Sequence, residues 1–491
     1  MLLTLLVAGL ALGGLLAWFV SLEGRDERHK IFVILVIVML VEAMLAGRAA
    51  EVPRGILRPV IAGQDFRPPD AVIVAALGAR ILHLGNTFTR LSGLWAAFLA
   101  IYMTSALVGI LNGFNTVEVL FQAKGSFYLL GGMAIASGAD PKRLADGLGR
   151  FSLVAAGAAT AAILLTFAGV RLSFSLPGQR INSLGALSAD SITLLTSIGV
   201  FTVVVEAVRE ERRWPQIAAG LVLLVSPIAG TQRASYMVLV VMILVLLALF
   251  STATWKRRSS VTVVEVALVV AGVVGAVGLN FVFAEGEQVV APFEEAFTGA
   301  AEQRSAESRF GLADQAVDRI QERPLLGWGT GVKVVRQAEF STREVNAAAH
   351  NLILDIGMRV GITGLLVFIV ACVASVATGL ALWRRARSDL VAAVAAAATV
   401  SLIGVLAKGM VEPALDKFRL SLTFGISVGL IMAARMADER GVASDDLDDS
   451  SDTDGHHDED DDDLIGFRTT VELMSWETAP LPSDRQAPRD P

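Results

Sequence analysis

Charge and sulfur are scarce in this chain. Only 18% of its 491 residues are charged, against 54% hydrophobic, and mean hydropathy is +0.60. That composition excludes a soluble protein of this size. The one cysteine, Cys372, lies inside an apolar run, so no intramolecular disulfide can form and cysteine usage says nothing about redox compartment. The formal net charge of −7 comes mostly from an acidic C-terminal segment. The opening run, MLLTLLVAGLALGGLLAWFV, has no basic stretch ahead of it, and the positive charges of GRDERHK follow it. A cleaved signal peptide has the reverse order. Residues 2–22 therefore read as a retained span that starts outside.

What the sequence has in abundance is apolar runs parted by short basic loops, the pattern of a polytopic helical membrane protein. Backbone groups in lipid must be satisfied by helices or by a closed barrel, and these runs are too long for barrel strands. The runs extend from residues 2–22 through 261–283 and 360–383 to 420–434. They give an all-α polytopic membrane protein of about 12–14 transmembrane helices. The loops GRDERHK, PKRLADGLGR, REERRW, WKRR and RRARSD fall on one side, which the positive-inside rule makes cytoplasmic. Before Leu94 the pattern is less regular: residues 71–84 contain Arg80 and His83, GRAAEVPRGILRPVIAG puts three arginines on the outer side, and one early segment is a candidate re-entrant piece.

Four regions follow. Residues 1–283 form N-terminal transmembrane helices. Residues 284–349 form one large extracytoplasmic loop containing short helices, long enough to imply a function. Residues 350–436 form C-terminal transmembrane helices, and residues 437–491 an acidic cytoplasmic tail expected to be disordered. Within the large loop, SRFGLADQAVDRIQERP sets Phe310, Ala313, Val317 and Ile320 on one helical face, and Pro324 follows it. PLLGWGTG is then a glycine-rich turn.

Several polar residues stand out against this background. His350 and Asn351 stand where the large loop gives way to an apolar helix. The positive end of a helix favours a neutral imidazole over an imidazolium, and a neutral ring can accept a proton at physiological pH. The competing reading is a surface histidine at headgroup level. Gly357, Gly361 and Gly364 share one face and are assigned to close packing; Asp355 and Arg359 are spaced to pair along the helix. In SPIAGTQRASYMVLVV, Arg233 falls in the first turn of a helix. The helix dipole opposes a cation there unless an anion sits between them, and a phosphate would be held by the exposed N–H groups and the guanidinium together. Snorkelling to lipid headgroups is the alternative. Arg309 in the large loop and Arg180 in a short outer loop are further candidate cations. Glu412 is a candidate orienting carboxylate, for which pairing with Lys408 is the simpler account. Carboxylates of the large loop form no tight pattern with histidines, so the chemistry is read as metal-independent.

Three elements stand in order: GTQRA opening an apolar helix, SRFGLADQAVDRIQERPLLGWGTG in the large loop, and HNLILDIGMRVGITGLLVF re-entering the membrane. This order resembles the O-antigen ligase-like family of bacterial polysaccharide ligases and polymerases. That family has an Arg at the helix start, an Arg–helix–Pro-Leu-x-Gly-x-Gly loop, and His-Asn followed by x-Gly-x-x-Gly-Leu. The chain departs from it at Thr231-Gln232-Arg233, where Ser-x-Ser-Arg is frequent, and at Ala313, where a Trp is frequent. The resemblance implies a glycosyltransferase at the outer face of the plasma membrane. The implied donor is a glycan on polyprenyl, usually undecaprenyl, pyrophosphate, and the implied acceptor a glycan or lipid-linked sugar. Membrane lipid is the remaining partner; no cofactor and no nucleic acid is implied. His350 is then the expected general base. Arg233, Arg309 and Arg180 are expected to bind the donor pyrophosphate, with Asn351 and Glu412 in support. A transporter or flippase of lipid-linked glycans is the alternative, with Arg80, Lys124, Asp190 and Glu206 marking its path. No internal duplication of the transporter kind is visible.

Overall fold

A computed structural model describes residues 2–25, 27–46, 60–61, 64–65, 67–82, 90–167, 189–209, 213–224, 226, 233–252, 300–337, 344–347 and 349–451. The span expected at 261–283, Arg180 and the tail from residue 452 lie outside the described residues. The helices are α1 (Leu2–Gly24), α2 (Arg28–Ala46), α3 (Pro68–Leu82), α4 (Arg90–Leu111), α5 (Thr116–Ser137), α6 (Pro141–Phe167), α7 (Ala189–Val208), α8 (Trp214–Leu224) and α9 (Arg233–Phe250). They continue with α10 (Ala300–Glu322), α11 (Leu352–Arg385), α12 (Asp389–Gly409) and α13 (Phe418–Ser451). The all-α polytopic class is what the structure shows: among the described residues, 6 helices are long and apolar enough to cross a membrane.

The centre of the bundle is set by α7, α12 and α13. In their apolar windows 94%, 78% and 89% of residues are buried, against 33% in the peripheral α4 and α11. The central helices carry many hydroxyls, and these bond back to their own helix. Thr196 donates to the Ile192 carbonyl, Ser197 to Thr193, Thr399 to Ala395 and Thr423 to Arg419, at 2.7–2.9 Å. No water is needed to satisfy them, which is why polar residues are tolerated at this depth. Glycine brings α5 and α13 together: a Cβ on Gly425 would fall 2.2 Å from the Leu129 carbonyl oxygen, and one on Gly429 2.6 Å from that of Met133. Small residues at such a contact let dispersion act between backbones.

Among the described residues, basic side chains from several loops gather at one end. Arg28 and Arg80 both reach Glu23, at 2.7 and 3.8 Å. Arg80 thus belongs to the basic end of α3 and is not stranded in mid-membrane. At the same end Arg209 and Arg213 converge on Asp146 at 2.8 and 3.0 Å.

Among its described residues, the large loop has a long helix, α10, and a hairpin of β1 (Val334–Gln337) and β2 (Glu344–Ala347), in which Val334 pairs with Ala347. The buried face of α10 differs from the expected one. Leu312 and Ala316 are buried and Ile320 packs against them, whereas Val317 is 39% exposed. Leu312 is the stronger apolar anchor, and it rotates the helix by about one residue from the face that Phe310 and Val317 define. Leu312, Ala316, Val332, Val334, Ala349 and Met358 form a small core of their own.

The decisive irregularity lies in α11. Gly361 has φ 69° and ψ −175°, which breaks the helix into two parts. Below the break α11 runs antiparallel to α4: Trp95 donates to Ser375 at 3.0 Å, Phe98 packs on Phe368, and Ile101 meets Gly364. Continued straight, α11 would set Val360 and Ile356 beside Ser105 and Gly109. Thr330 occupies that slot instead. Its N–H donates to the Ser105 carbonyl at 3.0 Å, and a Cβ on Gly109 would fall 1.9 Å from its carbonyl oxygen. The upper part of α11 turns onto the end of α12, which its lower part already touches at Gly379 and Thr399, and there Leu352 packs on Gly409. The backbone groups freed by the break are taken up by the glycine-rich turn. Trp328 and Gly329 N–H donate to the Met358 and Arg359 carbonyls at 2.8 and 3.0 Å, and Ile362 N–H donates to the Pro324 carbonyl at 2.7 Å. Gly327, Gly329 and Gly331 all have positive φ, which an L side chain rarely adopts. The three glycines of α11 do admit close neighbours, as expected. At Gly357 and Gly361, however, the neighbours are Ile320 and Leu325 of the loop and not a membrane helix.

A buried ion cluster braces the break. Arg359 reaches Asp355 at 2.8 Å, Asp416 at 2.7 Å and the Tyr102 hydroxyl at 2.5 Å. Both Arg359 and Asp355 have no exposed surface. The pairing along the helix is the expected one; Tyr102 and Asp416 complete it from α4 and from the turn before α13.

Two outcomes follow. Gly361→Ala puts a side chain at positive φ with its Cβ 2.3 Å from the Leu325 carbonyl oxygen, and costs at least about 1–3 kcal/mol. Its thermal midpoint in detergent falls, while Gly93→Ala, whose methyl meets open space, lowers it little or not at all. Arg359→Met leaves the buried Asp355 and the partly buried Asp416 without their cation and costs about 3–5 kcal/mol. Adding Asp355→Asn and Asp416→Asn to that variant recovers part of the loss in the same melting assay.

Candidate functional site

The upper part of α11 begins at a capped N-terminus. Asn351 is extended, at φ −145° and ψ 122°, and its Oδ1 accepts from the Ile353 and Leu354 N–H groups at 2.9 and 3.2 Å. Asparagine is among the strongest N-caps because it satisfies donors that the first turn leaves open. Its Nδ2 donates to the Met410 carbonyl at 3.1 Å, which ties this end of α11 to the end of α12. His350 precedes the cap at φ 51°, the one non-glycine residue with positive φ among those described. Histidine tolerates this region better than most residues, yet it still carries a cost. The histidine is half-buried and is held by its clamped neighbour.

The turn after α12 supplies the other wall. Lys408 is fully buried and donates to Thr193 Oγ1 at 2.9 Å. Glu412 lies 2.8 Å from Lys417 and 3.9 Å from Lys408. The pair with Lys408 expected from the spacing is thus the looser of two. Asp416, in the 3-10 turn Ala414–Asp416, then reaches Arg359. One short turn therefore joins Asn351 through Met410, Lys417 through Glu412, and Arg359 through Asp416. The structure brings His350, Asn351 and the Glu412 turn into one neighbourhood.

Arg233 is the first residue of α9, the position its sequence context indicates. The side chains of Arg233 and of Arg309, in α10, lie outside the described residues, as does Arg180 entirely. α9 packs on α12, with Met242 filling the space over Gly404. The polar residues that would mark a solute path have local partners: Arg80 has Glu23, Lys124 has Asp70 at 2.7 Å, and Glu206 has Arg209 at 3.3 Å. The side chain of Asp190 lies outside the described residues. Lys408, Asp416 and Tyr102 are the residues that sequence reasoning passed over. Only Lys408 left a trace there, as the neighbour of Glu412.

Residues 218–369 match the family model described as O-antigen ligase. The matched stretch runs from within α8 through α9, the large loop and the break in α11, and it holds Arg233, Arg309, the glycine-rich turn, His350 and Asn351. No curated protein matches the chain. The match supports a membrane glycosyltransferase of the O-antigen ligase and polymerase type. Together with the apolar helices of a multi-pass membrane protein, it makes residues 218–369, under a third of the chain, similar to the O-antigen ligase family.

Proposed function

We propose that the protein moves a glycan from a polyprenyl-pyrophosphate donor, undecaprenyl being the usual lipid, to a sugar hydroxyl at the outer face of the plasma membrane. It acts there as an O-antigen ligase or polysaccharide polymerase. The observation that carries this reading is the setting of His350: a costly left-handed backbone, fixed beside a doubly engaged Asn351 at the mouth of α11, inside the matched region. Strained backbone at a capped helix mouth is the kind of outlier that clusters at functional sites.

In this reading His350 takes the proton from the acceptor hydroxyl. The acceptor oxygen attacks the anomeric carbon of the donor, the bond from that carbon to the phosphate oxygen breaks, and polyprenyl pyrophosphate leaves. Arg233 and Arg309 clamp the pyrophosphate and stabilise the charge that grows on it, the electrostatic role that usually dominates such sites; Arg180 adds a third cation. Asn351 holds the backbone that presents His350, and Glu412 supports it from the facing turn. A pyrophosphate leaves readily, so the step is written without a metal or cofactor.

The test is glycan transfer by purified protein from a polyprenyl-pyrophosphate donor. His350→Ala loses about 10²–10⁴-fold, the range of a general base. His350→Gly, which removes the backbone cost but also the ring, loses as much. Arg233→Ala fails while still folding, and a chelator changes nothing. Full activity of His350→Ala would sink the base assignment. Movement of the lipid-linked glycan across a bilayer without transfer would replace the enzyme with a transporter.

A further inference from the structure

The large loop carries an apolar pair that its own fold leaves uncovered. Leu325 and Leu326 are 68% and 73% exposed, although the chain on both sides of them is tied down. Two separate measures place the pair at the edge of a bilayer. Along α11, residues 362–383, between the break and the Arg384 and Arg385 pair, span roughly 33 Å at ~1.5 Å per residue, close to the ~30 Å of a hydrocarbon core. Along α4, the apolar stretch Leu91–Leu111 ends at Leu111, which is 77% exposed. The leucine pair adjoins both edges. The Leu325 carbonyl sits against Gly361, and Arg323 donates to Asn112, next to Leu111, at 2.9 Å.

The surroundings are ordered as a bilayer is. On one side of the pair, Leu366, Val370 and Val373 of α11 and Met103 and Leu107 of α4 are all more than half exposed and continue the uncovered apolar face into the span. On the other, the guanidinium groups of Arg323 and Arg319 lie 3.9 and 5.2 Å from the centre of the Trp328 ring. Cations and an aromatic ring at one level are what headgroup depth favours. The backbone around the pair is bonded through Gly327 to Arg323 and through Pro324 to Ile362, so the segment can enter lipid without leaving those groups open.

We propose that Leu325 and Leu326 form a membrane wedge, inserted among the acyl chains of the leaflet that faces the large loop. Bulk acyl chains are the occupant because the wedge is continuous with the outward faces of two membrane-spanning helices. The wedge sets the depth of the turn that fills the break in α11. This inference stands apart from the glycosyl-transfer reading and survives its failure.

The experiment uses full-length protein in vesicles of phosphatidylethanolamine and phosphatidylglycerol. Cys372 is replaced by Cys372→Ala, and single labels are placed by Leu326→Cys, Leu325→Cys, Leu366→Cys and Glu322→Cys. Each carries a nitroxide whose collisions with dissolved oxygen and with a water-soluble nickel chelate are compared. The wedge predicts that both leucine positions favour oxygen, as Leu366→Cys does, while Glu322→Cys favours the chelate. If Leu325→Cys and Leu326→Cys collide with the chelate as Glu322→Cys does, the pair sits in water and the proposal fails. If both reagents are shut out there, protein covers the pair, most simply a second copy, and the proposal fails equally. Two adjacent labels keep the result readable should one of them perturb the turn.

Discussion

In a medium without water, a helix that breaks must find new partners for the backbone groups it frees. Most of what is distinctive in this protein follows from that constraint at Gly361. Carbonyls at Met358 and Arg359 and the N–H of Ile362 would each be left open by the break in a packed, water-excluded interior, at a cost of about 1–3 kcal/mol apiece. The turn at residues 324–331 answers all three. To do so it must approach backbone to backbone, which is why glycines stand at three of its positions and at Gly109 on the wall opposite. The guanidinium of Arg359, carried to the break by the same geometry, has its own charge answered by Asp355 and Asp416.

The break also explains where His350 comes to lie. A straight α11 would carry its N-terminus along α4. Bent, it folds over the end of α12 and delivers Asn351 to Met410. The acidic and basic residues of the following turn are thereby set near the histidine, and the central helix α7 reaches the same neighbourhood through Thr193 and Lys408. The candidate site is built where a diverted helix end meets a tight turn, both held by polar contacts in a largely apolar bundle.

Much of this was legible in the residues alone. Apolar runs marked the helices because, in lipid, length and hydropathy leave few alternatives. Asn351 as a helix start and the spacing of Asp355 with Arg359 could be read because caps and i,i+4 pairs are local. The break could not: Gly357, Gly361 and Gly364 look like an ordinary packing stripe, and only the loop's approach makes one of them a hinge point. Asp416 and Tyr102 join Arg359 across 57 and 257 residues of sequence, a distance over which spacing carries no signal. The buried face of α10 was read about one residue off because Phe310 and Val317 suit a helical stripe as well as Leu312 does.

The bond between Tyr102 and Arg359 has a consequence for the order of assembly. Tyr102 and Ser105 enter the membrane with α4, long before their partners are made. Thr330 arrives 225 residues after Ser105, and Arg359 257 residues after Tyr102. Until then the slot at Ser105 and the Tyr102 hydroxyl are without the partners they have in the finished fold. The first half of the chain is therefore inserted before it is finished. The closing step belongs to the last-made third, when the loop and α11 settle together against a wall that has been waiting for them.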